Sequence, residues 1–529
     1  MNSTGLFLNL ELLIFERLDY CEHLTYFFVY LYNFSAAMKK WVLTILFALT
    51  AAQGWAGFEY SPNLRKSFQL ILKLRLSNAK LFLEKEKLEH PSNSLTVLYD
   101  NYFDFIRAFI TEEKAYADTL RLNTERRLRL IDLDKENSPF RLIAKADMLI
   151  QTAMIKAKFG ENVSAALDIH KAYKFAERNF ILYPTFPLNK KTLGLLHAMV
   201  GAIPHEYRWL VSIAGMDGTI PQGSDELFRL MDETDRGVFP EYKEEVLFYL
   251  VQIYSSITTN DSITALLADS VKNHAADSPL MMYCYTNLTY KSGKNEDALA
   301  MINTFDDGNT FPFYFLHYKK AQLRLRKLDL GAVSDFEFYI SHFKGLNYVK
   351  SAYQKLAWIA LLKNDEKKYH EYMRYCVSRG ISLVDDDKEA LKEAETKEMP
   401  NPVLLRARLL FDGGYFKESF REMTKIISPS ILPFREIIEF TYRYGRLFHK
   451  TGDIEKAVMN YKATLQNGAS SHYYFAANSA LMLGLLYEEQ KDDKKARYYY
   501  QQCLSMRHHD YQNSIDQKAQ AALERLDAK

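Results

Sequence analysis

Two stretches decide the fold. The first is Tyr444-Gly445-x-x-Phe448, continued by Gly452, Ala457 and Tyr461; the second is Leu483-Gly484-x-x-Tyr487, continued by Lys491, Ala496 and Tyr500. The glycine, the aromatic, the alanine and the tyrosine fall at the same offsets in both, with Gly445 and Gly484 lying 39 positions apart. Each stretch reads as two helices joined by a turn. The glycine removes a Cβ that would hold the second helix away, and Ala457 or Ala496 does the same from the other side. Phe448, Tyr461, Tyr487 and Tyr500 then fill the seam. Lys450–Asp453 and Gln490–Asp493 are the turns, with Asp453 and Asp492 placed to cap the second helices.

This pattern resembles the tetratricopeptide repeat, whose period is about 34 residues; the extra positions here lengthen helices or a loop. One hairpin cannot bury its apolar face alone, so at least about three must stack. The expectation is an all-α, tetratricopeptide-like helical-hairpin solenoid wound as a right-handed superhelix.

Outward from these copies the marks weaken but persist. Ser514–Leu526 reads as a polar capping helix. Asn401-Pro402 opens a hairpin that turns at Gly413-Gly414, so residues 400–529 form a repeat region. Residues 276–399 read as degenerate hairpins. Ser278-Pro279 is a cap and first turn, and Ala298, Ala332 and Ala357 stand where the small residue belongs. The Asp385-Asp386-Asp387 run opens a short exposed helix; it lacks the alternating oxygens of a calcium loop and reads as a solvated capping run. Residues 57–275 read as a degenerate helical-repeat region, helical throughout from Ser61 to about Asp132. Leu64, Phe68, Leu72 and Leu76 form one stripe, and Tyr99, Tyr102, Phe103, Ile106 and Ile110 another. Ala144–Arg178 is a hairpin turning at Gly160, with Ala165 and Ala166 in the close-packing role. Glu125–Arg129 reads as a solvated basic face. Residues 183–237 are rich in Gly and Pro and read as a short helix, a close crossing and a loop. The spacing Gly215-x-x-Gly218-x-x-x-x-Gly223 matches no phosphate loop.

The composition agrees with a packed helical chain: 529 residues, 48% hydrophobic, 14% aromatic, 21 Gly and 14 Pro. Net charge is +2 with no block of one sign, which speaks against nucleic acid and against a polybasic membrane patch. At the N-terminus, Met38-Lys39-Lys40, the apolar Trp41–Leu49 and Gly54-Trp55-Ala56 read as a signal peptide over 38–56, cleaved after Ala56. Residues 1–37 then read as an upstream extension outside the native product. Neither the Trp41–Leu49 run nor the apolar Leu24–Tyr32, which Asn33 interrupts, reaches the ~18–20 residues of a membrane span. The remaining cysteines, Cys284, Cys376 and Cys503, are too widely spaced for a disulfide framework or a zinc site. The expected location is the bacterial cell envelope, periplasmic or secreted.

Gly201, Pro204, Leu210, Gly215, Gly218 and Gly223, with Tyr318, Leu323, Ala332 and Phe336, resemble the fungal inclusion-body-clearance family and its animal tetratricopeptide relatives. The overall texture resembles secreted tetratricopeptide proteins of Bacteroidetes. The first resemblance implies the architecture and supplies no catalytic residue.

No HExxH, GxSxG, CxxC, P-loop or dinucleotide fingerprint occurs. His508-His509-Asp510 is dense, but adjacent side chains diverge by about 100° on a helix, so it reads as a solvated loop rather than a metal site. The expectation is therefore no catalytic residue, no cofactor and no metal. The first helix of each pair should present a groove. Tyr442, Arg443, Arg446, Lys450 and Asn478 are the candidate partner-binding residues, a basic and aromatic strip suited to an acidic or extended peptide. In carboxylate-clamp repeats Lys and Asn hold positions that Tyr442 and Arg446 take here, so chaperone-tail binding is not supported. The function expected is a non-enzymatic protein–protein interaction scaffold; the alternative is a small-molecule or lipid site at 183–237.

Overall fold

A computed structural model describes residues 57–134, 137–203, 214–257, 260–306, 308 and 310–527. The upstream extension 1–37 and the signal segment 38–56 lie outside the described residues. So do Pro204 and Leu210. Every regular element among the described residues is helical.

Helices pair as hairpins along the chain. The N-terminal pairs are α1 (Pro62–Leu72) with α2 (Leu76–Glu89), α3 (Thr96–Thr111) with α4 (Lys114–Leu133), and α5 (Pro139–Lys158) with α6 (Asn162–Leu182). Next come α7 (Asn189–Gly201) crossing α8 (Ile220–Asp235), then α9 (Lys243–Gln252) and α10 (Asp261–Ala275). In the middle, α11 (Pro279–Lys291) packs with α12 (Asn295–Ile302), and α13 (Phe315–Arg326) with α14 (Val333–His342). There too α15 (Val349–Leu362) packs with α16 (Glu366–Ser378), and α17 (Asp385–Thr396) lies against both. The last pairs are α18 (Pro402–Asp412) with α19 (Phe416–Met423), α20 (Phe434–Thr451) with α21 (Ile454–Gly468), and α22 (Phe475–Glu489) with α23 (Asp493–Ser505). Helix α24 (Gln512–Asp527) covers the final pair.

The two decisive stretches are α20–α21 and α22–α23, and the glycine's role is specific. A Cβ on Gly445 would sit 2.6 Å from Tyr461 Cδ1, and one on Gly484 would sit 2.4 Å from Tyr500 Cε1. The repeat tyrosine of the second helix thus occupies the place of the missing Cβ. Ala457 and Ala496 are fully buried. Asp453 and Asp492 accept from the backbone N–H of Lys456 and Lys495, at 3.2 and 3.1 Å. Gly452 has φ +86°, and Lys491 takes the same left-handed place at φ +61° without a glycine's freedom.

Three local expectations are corrected. Arg127 is not on a solvated face; it is buried and bonds Asn101 Oδ1 at 3.0 Å and Asp104 Oδ2 at 2.8 Å. Ala165 is buried as the turn requires, but Ala166 points outward. Asp387 does not cap its own helix: it is fully buried and accepts from Tyr348 N at 2.5 Å and Ser351 N at 2.9 Å, so it caps α15. Burial pushes its carboxyl up to about 6 even with those two donors.

In the Gly-rich segment, Cβ atoms on Gly201, Gly218 and Gly223 would meet the Ile220 N at 2.5 Å, the His197 Cα at 2.6 Å and the Gly194 O at 2.2 Å. Backbone from α7 and the start of α8 fills the space that these glycines leave.

Contacts also reach beyond adjacent hairpins, which a simple solenoid would not require. Glu112 accepts from Asn347 N at 3.0 Å, Asn347 Nδ2 at 2.8 Å and Lys158 Nζ at 2.6 Å. Phe311 N donates to Leu74 O at 2.7 Å. The stretches 57–275, 276–399 and 400–529 accordingly run, from Tyr60 on, through one compact unit.

Candidate partner-binding site

The first helices α11, α13, α15, α18, α20 and α22 touch in succession. Their shared side carries cations stacked on the aromatic rings of the preceding layer. On α13, Arg326 Cζ lies 3.3 Å and Lys319 Nζ 4.3 Å from the centroid of Tyr290 on α11. Arg408 of α18 lies 5.1 Å over Trp358 of α15, and Arg446 of α20 lies 4.0 Å over Phe411 of α18. Attraction to the ring quadrupole holds each cation partly out of water.

Beside this row is a cavity of about 210 Å³. Lys355 and Gln354 of α15, Asp386, Glu389 and Glu393 of α17, and Arg408 of α18 line one part of it. Arg435, Tyr473, Tyr474, Asp510 and Tyr511 line the rest. Glu393 accepts from Trp358 Nε1 at 2.8 Å and Gln354 Nε2 at 2.6 Å. Glu389 is pushed up to about 7, by burial first and then by the Asp510 carboxylate. Tyr474 and Tyr511 meet edge to face at 5.2 Å. The site combines both signs of charge with aromatic faces, which suits polar and aromatic side chains of a peptide. A larger cavity of about 440 Å³ lies between α2, α3 and α4, next to the Lys87–Asp100 pair at 3.0 Å.

The five candidates from the sequence divide. Tyr442 is 2% exposed, and its hydroxyl accepts from Asn478 Nδ2 at 2.5 Å. Arg443 is buried and donates through Nε to Glu439 Oε1 at 2.8 Å. Arg446 is half-buried and donates to Asp412 Oδ1 at 3.2 Å. Lys450 alone is fully on the surface, at the C-terminal turn of α20. The structure therefore brings Tyr442, Arg446 and Asn478 together between layers, not as an open strip. Contact between successive first helices consumes that face. Lys319, Arg326, Lys355 and Arg408 were missed in sequence, because the rings they stack on include ones 36 and 50 positions away (Arg326–Tyr290 and Arg408–Trp358).

Of the 183–237 alternative, residues 204–213 lie outside the described residues. In the described part, Lys174 Nζ donates to Gly215 O at 2.8 Å and the helix crossing is closely packed. His509 of the His508-His509-Asp510 run is buried rather than solvated, with Nδ1 2.8 Å from Asp510 O. Among the described residues no three His, Cys, Asp or Glu side chains gather where they could hold a metal ion. No described helix is long and apolar enough to cross a membrane. Cys284, Cys376 and Cys503 are free and buried.

The class of protein follows from this frame: an all-α helical-hairpin repeat chain. A tetratricopeptide-repeat family model matches residues 437–507, the two decisive stretches. Solved structures of IFIT1 are similar, namely a monomeric mutant with Gppp-AAAA (11% identity, TM-score 0.28) and one with m7Gppp-AAAA (12%, 0.29). Each alignment covers 76% of this chain and 85% of the other. No curated protein matches the sequence.

Proposed function

We propose that the protein is a non-enzymatic scaffold of the bacterial cell envelope that binds a protein partner along its first-helix side. The supporting observation is the cavity where α15, α17, α18 and the 472–475 and 510–511 segments deliver cations, carboxylates and tyrosines to one space. Tetratricopeptide repeats supply a rigid frame for such a surface, and the N-terminal Met38–Ala56 pattern supports export.

The test is a photo-crosslinking amino acid placed at Tyr473, on the cavity, and separately at Tyr498, which is 54% exposed on a second helix. Expression with an export-competent leader should give a discrete crosslinked partner from position 473 and none from 498. Equal patterns from both positions would refute the site.

A further inference from the structure

The cavity beside α15, α17 and α18 is lined by six carboxylates against four cations. The cations are engaged. Lys392 pairs with Asp510, and Arg435 lies 3.6 Å from Glu398. Arg408 reaches Asp412 at 3.9 Å, and Lys355 donates to Gln354 Oε1 at 2.6 Å and lies 4.4 Å over the Trp358 ring. Asp386, Glu389 and Glu393 form no ion pair with a described residue within 4 Å. Lys355 and Arg408 act on Glu393 at longer range, and Lys392 and Arg408 act on Glu389. Those cations are shared among more carboxylates than they can balance, so the cavity keeps a negative excess. Positions 386, 389 and 393 fall on one face of α17, rising about 4.5 and 6 Å along it. Tyr473, Tyr474 and Tyr511 bring aromatic rings to the same space.

We propose, building on the scaffold reading, that this cavity receives an arginine side chain of the partner, neutralised by Asp386, Glu389 and Glu393 and flanked by the tyrosine rings. Size selects a side chain over a whole ligand: the volume is about 210 Å³, below the roughly 300 Å³ at which sites for complete small molecules begin. Charge selects a cation, and the aromatic rings offer their faces to one. Among the described residues no three carboxylates gather where they could hold a metal ion, so a broad organic cation suits the site better than a compact one. A guanidinium spans two neighbouring carboxylates with its planar fork and stacks on a ring, which a lysine ammonium does less well. The chain makes this contact once itself, with Arg435 lying 5.8 Å over the Tyr473 ring. Nucleic acid is disfavoured, because its phosphates would meet the same carboxylates.

The charge state of the cavity adds a signature. Burial and then Asp510 push Glu389 up to about 7; Lys392 of α17 and Arg408 of α18 oppose this, and Asp385 adds to it. His472 lines the same cavity. A bound cation favours the ionised carboxylate. Arginine binding should therefore release a proton near neutral pH and tighten as pH rises from 6 to 8.

The experiment is saturation-transfer NMR with the full chain and N-acetylarginine amide, compared with N-acetylcitrulline amide, its neutral isostere. Wild type should bind the arginine probe about 10-fold more tightly than the citrulline probe. Asp386→Asn and Glu389→Gln should each weaken arginine binding about 5-fold, and Glu389→Gln should lose most of the gain between pH 6 and 8. Glu455→Gln, at an exposed position of a second helix, should change nothing. The probe ratio is read on wild type, so it stands whether or not a variant folds. Equal binding of the two probes, or equal affinity in all folded variants, overturns the proposal. A partner still crosslinked at position 473 in those cases would leave the scaffold reading standing and remove only its arginine form. Arginine selectivity with no crosslinked partner would instead keep the site and remove the scaffold reading.

Discussion

The layers α11–α15 and the layers α18–α22 share one architecture but treat charge in opposite ways. In the later layers burial alone would raise the Asp412 carboxyl, yet four guanidiniums, led by Arg446, hold it below its ordinary value. Glu439 is held low in the same manner, chiefly by Arg443. One of the four guanidiniums, Arg326, comes from α13 of the earlier layers, so the two sets of layers meet at Asp412. In the earlier layers the lysines are the perturbed groups: burial lowers Lys319 and Lys355, and the Asp386 carboxylate opposes this without forming an ion pair with either. The lesson is that stacked first helices can pair a buried charge in contact or leave it compensated only at longer range.

Breaking a pair in the later layers should have the largest effect. Glu439→Ala leaves the buried Arg443 uncompensated and should cost about 3–5 kcal/mol, measured as a lower urea midpoint. Lys319→Met should do the reverse in the earlier layers. An unfolded lysine titrates near 10.4, while Lys319 in the fold lies at about 7. Between these values the unfolded chain holds more protons, so this group makes stability rise with pH and withdraws that gain as pH falls to 7. The slope is at most about 1.4 kcal/mol per pH unit. Lys319→Met should flatten the curve over pH 7–10; parallel curves for both proteins would contradict the unpaired state.

Smaller changes sharpen the comparison between the two clear repeats. Gly484→Ala drives a Cβ into Tyr500 and should cost about 1–3 kcal/mol, seen in thermal melts, with Gly445→Ala behaving alike. Lys491→Gly should stabilise by about 1 kcal/mol, because the left-handed turn then has the residue that Gly452 supplies in the other copy. Unchanged melting would mean the turn carries no strain.

The fold was legible where local rules suffice. Offsets among Gly445, Ala457 and Tyr461 mark a hairpin because each position has one packing duty, and α15 runs from Val349 to Leu362 as its periodicity predicts. The site was less legible. Tyr442 and Arg443 sit at groove positions of an isolated hairpin, but the neighbouring layer covers them. Asp387 looked like a solvated cap because its true partners, the Tyr348 and Ser351 amides, belong to another helix. Periodicity reports which face of a helix is apolar; it does not report which element arrives to cover a polar face.

The most direct measurement is the titration of Lys319 by carbon-detected NMR on lysine-labelled protein, assigned with Lys319→Met. The account predicts a midpoint near 7. A midpoint near 10.4, the ordinary lysine value, would contradict it.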